Sequence, residues 1–232
     1  MKGYLARPDG DAPCPAVIVF QEIFGVDESL RRIADLLASS GYAAVVPALF
    51  HRSDPDFLAQ HDDDGRKRGL AAAAAETPEL MEADLRATIA WLQKQPFCNG
   101  AIGTWGFCWG GTVAYLSATL DGVSAVCSFY GGQIGKSRFP GAPPMIERTN
   151  AIKAPILLSF GGKDDSIPAD EIAKIKAALD DAGKTYELHV YPDEGHGYFR
   201  SYVGQNATPG SREVWPIVQA FFSKHLRAGV PA

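Results

Sequence analysis

No stretch of the chain approaches the ~18 continuous apolar residues that a membrane span requires, and residues 1–12 (MKGYLARPDGDA) lack the apolar centre of a signal peptide. A cytoplasmic protein with no membrane partner is the expectation. Basic runs are also missing: 22 lysines and arginines stand against 27 acidic residues, for a net charge of −5. That balance argues against a nucleic-acid or anionic-lipid surface. Cysteine is scarce, and Cys14, Cys98, Cys108 and Cys127 include no CxxC pair, which argues against a zinc site and a disulfide framework. No metal or cofactor is expected. Repeats, low-complexity tracts and linkers are absent too, so residues 1–232 are expected to form one domain, of a size compatible with a monomer.

What is present is a rhythm. The run PAVIVFQ (15–21) is almost continuously β-branched or aromatic, and ESLRRIADLLASSGY (28–42) follows with Leu30, Ile33, Leu36 and Leu37 at helical spacing before Gly41. The alternation continues through AAVVP, PELMEADLRATIAWLQKQ, AIGTW, GTVAYLSATL, VSAVCSFYG, PILLSFGG, ADEIAKIKAALDDAG, YELHVYP and SREVWPIVQAFFSKHL. Apolar strands alternating with amphipathic helices predict about six strands and five helices in a mostly parallel, doubly wound α/β sheet covered on both faces. Residues 51–77, with HDDDGRKRG and AAAAA, break the rhythm. An excursion of that length suits a lid or substrate-binding segment, and a solvated surface helix is the plainer reading.

The stretch GFCWGG (106–111) lies between an apolar strand and a helix. A nucleophile in the pattern G-x-nucleophile-x-G marks a strained strand-to-helix elbow, which lifts the side chain above the sheet. At a helix N-terminus the free N–H groups and the dipole favour a thiolate. Cys108 therefore reads as a nucleophile, against the plainer reading of a small buried hydrophobe. Its partners should follow in the order acid, then histidine. Asp164, in GGKDDSIP, stands after a strand, with Asp165 as competitor for the same role; His196, in DEGHGYF, stands after the next strand between two glycines. His51 and His61 in the polar excursion, His189 in a strand and His225 in the last helix read as structural or solvated. The loop QEIFGV (21–26) leaves its strand at the same end of the sheet. The N–H groups of Ile23 and Trp109 can form an oxyanion hole, and Glu22 is either an added acid–base group beside the thiol or a loop residue in water.

With QEIFGV, GFCWGG, GGKDDSIP and EGHGYFR in this order, the chain resembles the dienelactone hydrolases (carboxymethylenebutenolidases) of the α/β-hydrolase fold. The resemblance implies Cys108 as nucleophile, His196 as its base, Asp164 as orienter and Glu22 as a carboxylate that interacts with the thiol when substrate arrives. It further implies two arginines for a substrate carboxylate: Arg200, four residues after the histidine, and Arg66 in the excursion, with Arg68 as the alternative. An arginine fork suits a planar carboxylate. The implied reaction is hydrolysis of an unsaturated lactone through an acyl-enzyme. GLAAAAAE in the excursion lacks the aromatic residues that the best-known members place there, which leaves a broad carboxylesterase or thioesterase as the close alternative. A non-catalytic thiol sensor is a third reading, but it has no need of Asp164 and His196 at separate strand ends.

Overall fold

The structure, a computed structural model, describes residues 1–137, 141–204 and 206–227. Seven strands form one sheet: β1 (Gly3–Ala6), β2 (Cys14–Phe20), β3 (Ala43–Pro47), β4 (Cys98–Phe107), β5 (Ala125–Phe129), β6 (Ile156–Gly161) and β7 (Tyr186–Tyr191), in the spatial order β1-β3-β2-β4-β5-β6-β7. Only β1 runs antiparallel, against β3; every other neighbour pair is parallel. The mostly parallel α/β sheet expected from the apolar runs is therefore present.

The helices are α1 (Glu28–Ser39), α2 (Asp63–Ala74), α3 (Pro78–Leu92), α4 (Trp109–Ser117), α5 (Ala169–Asp181), α6 (Arg200–Val203) and α7 (Pro209–Phe222). Their starts follow local chemistry. Asp27, Asp62, Thr77 and Thr208 each accept a hydrogen bond from an N–H in the first turn, and Pro78 and Pro209 open α3 and α7, where a missing N–H costs nothing.

Covering both faces makes the central strands apolar throughout. Val17, Ile18, Val19 and Phe20 of β2 are fully buried. On one side the core is aromatic: Trp105 of β4 stacks on Trp215 of α7, their planes 8° apart and centroids separated by 5.8 Å, with Phe107, Phe129 and Phe199 packed around them. Each such side chain contributes roughly 1.5–3 kcal/mol of burial free energy. Gly103 gives the closing turn room. A Cβ there would lie 2.9 Å from Leu226 and 3.1 Å from Phe222, so the end of α7 lies close over β4.

Three elements exceed the six strands and five helices read from sequence. The strand β1 is four residues long at the sheet edge and mostly exposed, too short to display a pattern. Helix α6 is a single turn. Helix α2 occupies the excursion, so residues 51–77 are partly helical. It is held at several points: His51 and Arg52 bond to Asp84 of α3, Leu58 bridges to Gly25, and Asp62 caps α2 through the Gly65 N–H. The cysteines also differ from their scattered look in sequence, because Cys14 and Cys98 are register partners on β2 and β4; all four thiols are free. Among the described residues no helix is long and apolar enough to cross a membrane.

Candidate active site

Because β2, β4, β6 and β7 are mutually parallel, their carboxyl ends share one edge of the sheet, the place where open α/β folds bind ligands. Each loop leaving that edge brings one of the residues singled out in sequence.

Cys108 joins β4 to α4 with φ 56° and ψ −116°, a conformation that costs a non-glycine residue of order 1–3 kcal/mol. Its surroundings hold it there. The Cys108 N–H donates to the Phe129 carbonyl at 3.0 Å. Cβ atoms on Gly106 and Gly110 would lie 1.9 Å and 2.5 Å from backbone oxygens, so only glycine lets the turn close. The elbow expected from GFCWGG is formed.

His196, after β7, places Nδ1 2.6 Å from Asp164 Oδ2, after β6. Asp164 is buried and Asp165 exposed, so Asp164 is the carboxylate that reaches the imidazole. Sequence reading missed Ser166, which donates to Asp164 Oδ1 through its hydroxyl at 2.5 Å and its N–H at 2.9 Å. The Asp-x-Ser spacing of a local turn was its only signal. Burial alone would push Asp164 up, yet the bonds from His196 and Ser166 outweigh it and hold the carboxyl below its ordinary range. Burial likewise works against a charged His196, but bonds to Asp164 and to Cys108, with the charges of both, lift the imidazole to about 10. The loop bearing it is anchored by buried Glu194, whose Oε1 accepts from the Gly210 N–H at the start of α7 at 2.9 Å.

Glu22 and Ile23 follow β2. Among the described residues, neither the Ile23 N–H nor the Trp109 N–H has an acceptor, and Trp109 begins α4 directly after Cys108. Two unengaged donors beside the elbow have the chemistry of an oxyanion hole. A methyl group on Gly69 of α2 would lie 2.1 Å from the Ile23 carbonyl oxygen, so the helix rests directly on this peptide. Glu22 is buried; Arg200 Nη1 donates to its Oε2 at 2.5 Å, while Oε1 has no hydrogen-bond partner among the described residues.

A cavity of about 350 Å³ joins these groups, bordered by Cys108, His196, Glu22, Arg200, Arg66 and His61. Arg66 reaches it from α2, whereas the Arg68 guanidinium lies 5.6 Å from the Phe57 ring centroid. Tyr130, also missed in sequence, packs edge-on to His196 at 5.2 Å; burial and the nearby Glu22 push its hydroxyl well above its ordinary pKa.

Residues 1–226 match the profile of the dienelactone hydrolase family. The chain belongs to that family. A Synechocystis sp. protein with the provisional name carboxymethylenebutenolidase is 33% identical over 226 residues, spanning 97% of this chain and 92% of its own. A Pseudomonas putida carboxymethylenebutenolidase is 31% identical over 200 residues, 86% of this chain and 81% of its own. The crystal structure of a Klebsiella pneumoniae protein, provisionally titled a dienelactone hydrolase, superposes with a TM-score of 0.84 at 31% identity, covering 96% of this chain and 92% of that one. As a dienelactone hydrolase family member on the α/β-hydrolase fold, the protein is a hydrolase of ester or lactone bonds in small molecules.

Proposed function

We propose that the protein opens a carboxylate-bearing unsaturated lactone, with Cys108 as nucleophile, His196 as proton carrier and Asp164 as orienter. One observation carries the anionic substrate class: Arg66 faces the cavity of the elbow cysteine and has no ion-pair partner among the described residues. An exposed cation on the cavity wall with no counter-ion among the described residues is matched by a ligand that brings one. Residues 51–77, through α2, form the wall that presents it and act as the lid or binding segment.

The reaction begins from the Cys108 thiolate paired with the protonated imidazole of His196, the form that Cys108 reaches by passing its proton to His196. The thiolate attacks the ring ester carbonyl, and the oxyanion is held by the Ile23 and Trp109 N–H groups. Collapse breaks the ring C–O bond. The departing enolate takes the His196 proton, leaving a thioester and a neutral imidazole. That imidazole, kept in one tautomer by Asp164, accepts a proton from water as the water attacks the thioester. Expulsion of the thiolate restores the starting pair. Glu22, with one oxygen unengaged beside this site, acts as the additional acid–base group, and Arg200 and Arg66 hold the substrate carboxylate.

The test is steady-state hydrolysis of a dienelactone and of p-nitrophenyl acetate by the wild type and Cys108→Ala. Loss of both activities in the variant, with the wild type much faster on the lactone, supports the proposal. Comparable wild-type rates support a broad carboxylesterase or thioesterase with the same triad. A specific observation favours that second reading: Arg200 already has Glu22 as its counter-ion, which reduces the net positive charge offered to an anion.

A further inference from the structure

His61 stands in the polar stretch HDDDGRKRG, where sequence alone assigns it to solvent or structure, yet the fold turns it into the cavity wall. Its ring lies 3.9 Å from that of Phe24, centroid to centroid. Two polar contacts of opposite demand fix it: Nε2 is 2.6 Å from Asp27 Oδ2, and Nδ1 is 3.1 Å from Arg200 Nη1. A guanidinium only donates, so Nδ1 must offer a lone pair; a carboxylate only accepts, so Nε2 must carry the hydrogen. The two neighbours together select one neutral tautomer.

Asp27 is itself held. Its Oδ1 accepts from the Leu30 N–H at 2.9 Å and caps α1, which leaves Oδ2 for His61. A continuous chain of hydrogen bonds then runs from the α1 cap through Asp27, His61 and Arg200 to Glu22. The charged groups facing His61 are Asp27 from the loop before α1, Arg200 of α6 with Glu22 behind it, and Arg66 of α2 on the cavity wall.

We propose that Asp27 and His61 form a positioning dyad that aims the Arg200 guanidinium into the cavity and against Glu22, and thereby sets selectivity for anionic substrates. This rests on the reading of Arg200 as a carboxylate-binding group. His61 touches no reacting atom and acts through Arg200; Asp27 acts through His61 by fixing its tautomer.

Asp27→Asn is the informative variant. Asparagine caps helices as well as aspartate does. Its single oxygen must stay with the Leu30 N–H, so its NH2 group faces His61 Nε2. The imidazole then has to move its hydrogen to Nδ1, where it opposes the Arg200 donor. The expected result is a rise of about tenfold in KM for an anionic dienelactone and a much smaller change for p-nitrophenyl acetate. His61→Ala should act alike, and His61→Asn, which can return an acceptor to Arg200, should recover part of the loss. Independently of activity, the imidazole ¹⁵N shifts of His61 should show an unprotonated Nδ1 in the wild type and the reverse in Asp27→Asn. An unchanged ¹⁵N pattern in Asp27→Asn overturns the dyad. So does a lactone-to-ester selectivity that Asp27→Asn and His61→Ala leave intact while Arg200→Gln abolishes it. If Arg200→Gln leaves that selectivity intact, the carboxylate-binding reading of Arg200 fails, and the selectivity-setting role proposed for the dyad falls with it.

Discussion

Arg200 and Glu22 are 178 residues apart in the chain and 2.5 Å apart in the fold. The pair spans the site from the QEIFG loop after β2 to the first residue of α6. It places a carboxylate, which would be costly to bury alone, against a guanidinium that satisfies one of its oxygens. The other oxygen stays unengaged beside the elbow.

Arg66 and Arg68 separate cleanly by variant. Arg66→Gln removes the cation that faces the cavity and should lower kcat/KM for an anionic lactone by about tenfold or more, the worth of a charged hydrogen bond, with a smaller loss on neutral esters. Arg68, set against Phe57, should tolerate the same change. Equal losses on both substrate types with Arg66→Gln would remove it from anion binding.

The Asp164–His196 pair predicts a signed pH dependence of stability. His196 is lifted from 6.5 to about 10, so its contribution is complete below about 6.5 and fades as pH climbs through about 10. Asp164 lies below its ordinary 3.8, so its contribution holds above 3.8 and fades as pH falls through the lower folded value. The stability gap between wild type and Asp164→Asn, read from urea unfolding, should be widest between these limits and narrow toward either end. The His196 resonance should titrate at lower pH in the variant. A gap that is flat from pH 4 to 10 would contradict the pairing.

Backbone strain at Cys108 is measurable apart from chemistry. Cys108→Ala and Cys108→Gly should both abolish turnover. At φ 56° and ψ −116°, however, the glycine variant should be the more stable of the two by about 1 kcal/mol, despite glycine's greater chain entropy. An alanine variant as stable as the glycine one would show that the elbow is relaxed.

Gly69→Ala tests the support of the loop after β2, whose Ile23 N–H is the proposed oxyanion donor. A glycine-to-alanine change inside a helix ordinarily stabilises, but here the new methyl group meets the Ile23 carbonyl at 2.1 Å. The expected cost is about 1–3 kcal/mol, from overpacking. With it should come a fall in kcat on lactone and ester alike, as the Ile23 N–H shifts. A gain in melting temperature would refute the contact.

Much of this was legible in the chain because the strongest signals are local. VIVF, AAVV and ILLSF are apolar because parallel strands are buried on both faces, and GFCWGG carries its own turn chemistry. Asp164 and His196 could be placed because each follows a strand. His61 could not: its partners Asp27 and Arg200 lie 34 and 139 residues away, and nothing near it in the chain signals either. Helix α2 was obscured because Gly65 and Gly69 weaken a helical reading, although both are small so that the backbone can press against Gln60 and Ile23. Tyr130 reads as the polar end of a buried strand, and only the fold turns its ring toward His196.

The seating of Gly69 on Ile23 also bears on how selectivity can be transplanted. Helix α2 brings Arg66 to the cavity and, one turn onward, rests on the carbonyl of Ile23 in the loop after β2. Residues 51–77 and the QEIFG loop are thus one fitted part. A segment grafted from a relative into this scaffold would keep its fit only if the matching loop travels too; exchanged alone, it would displace Ile23, whose N–H is the proposed oxyanion donor.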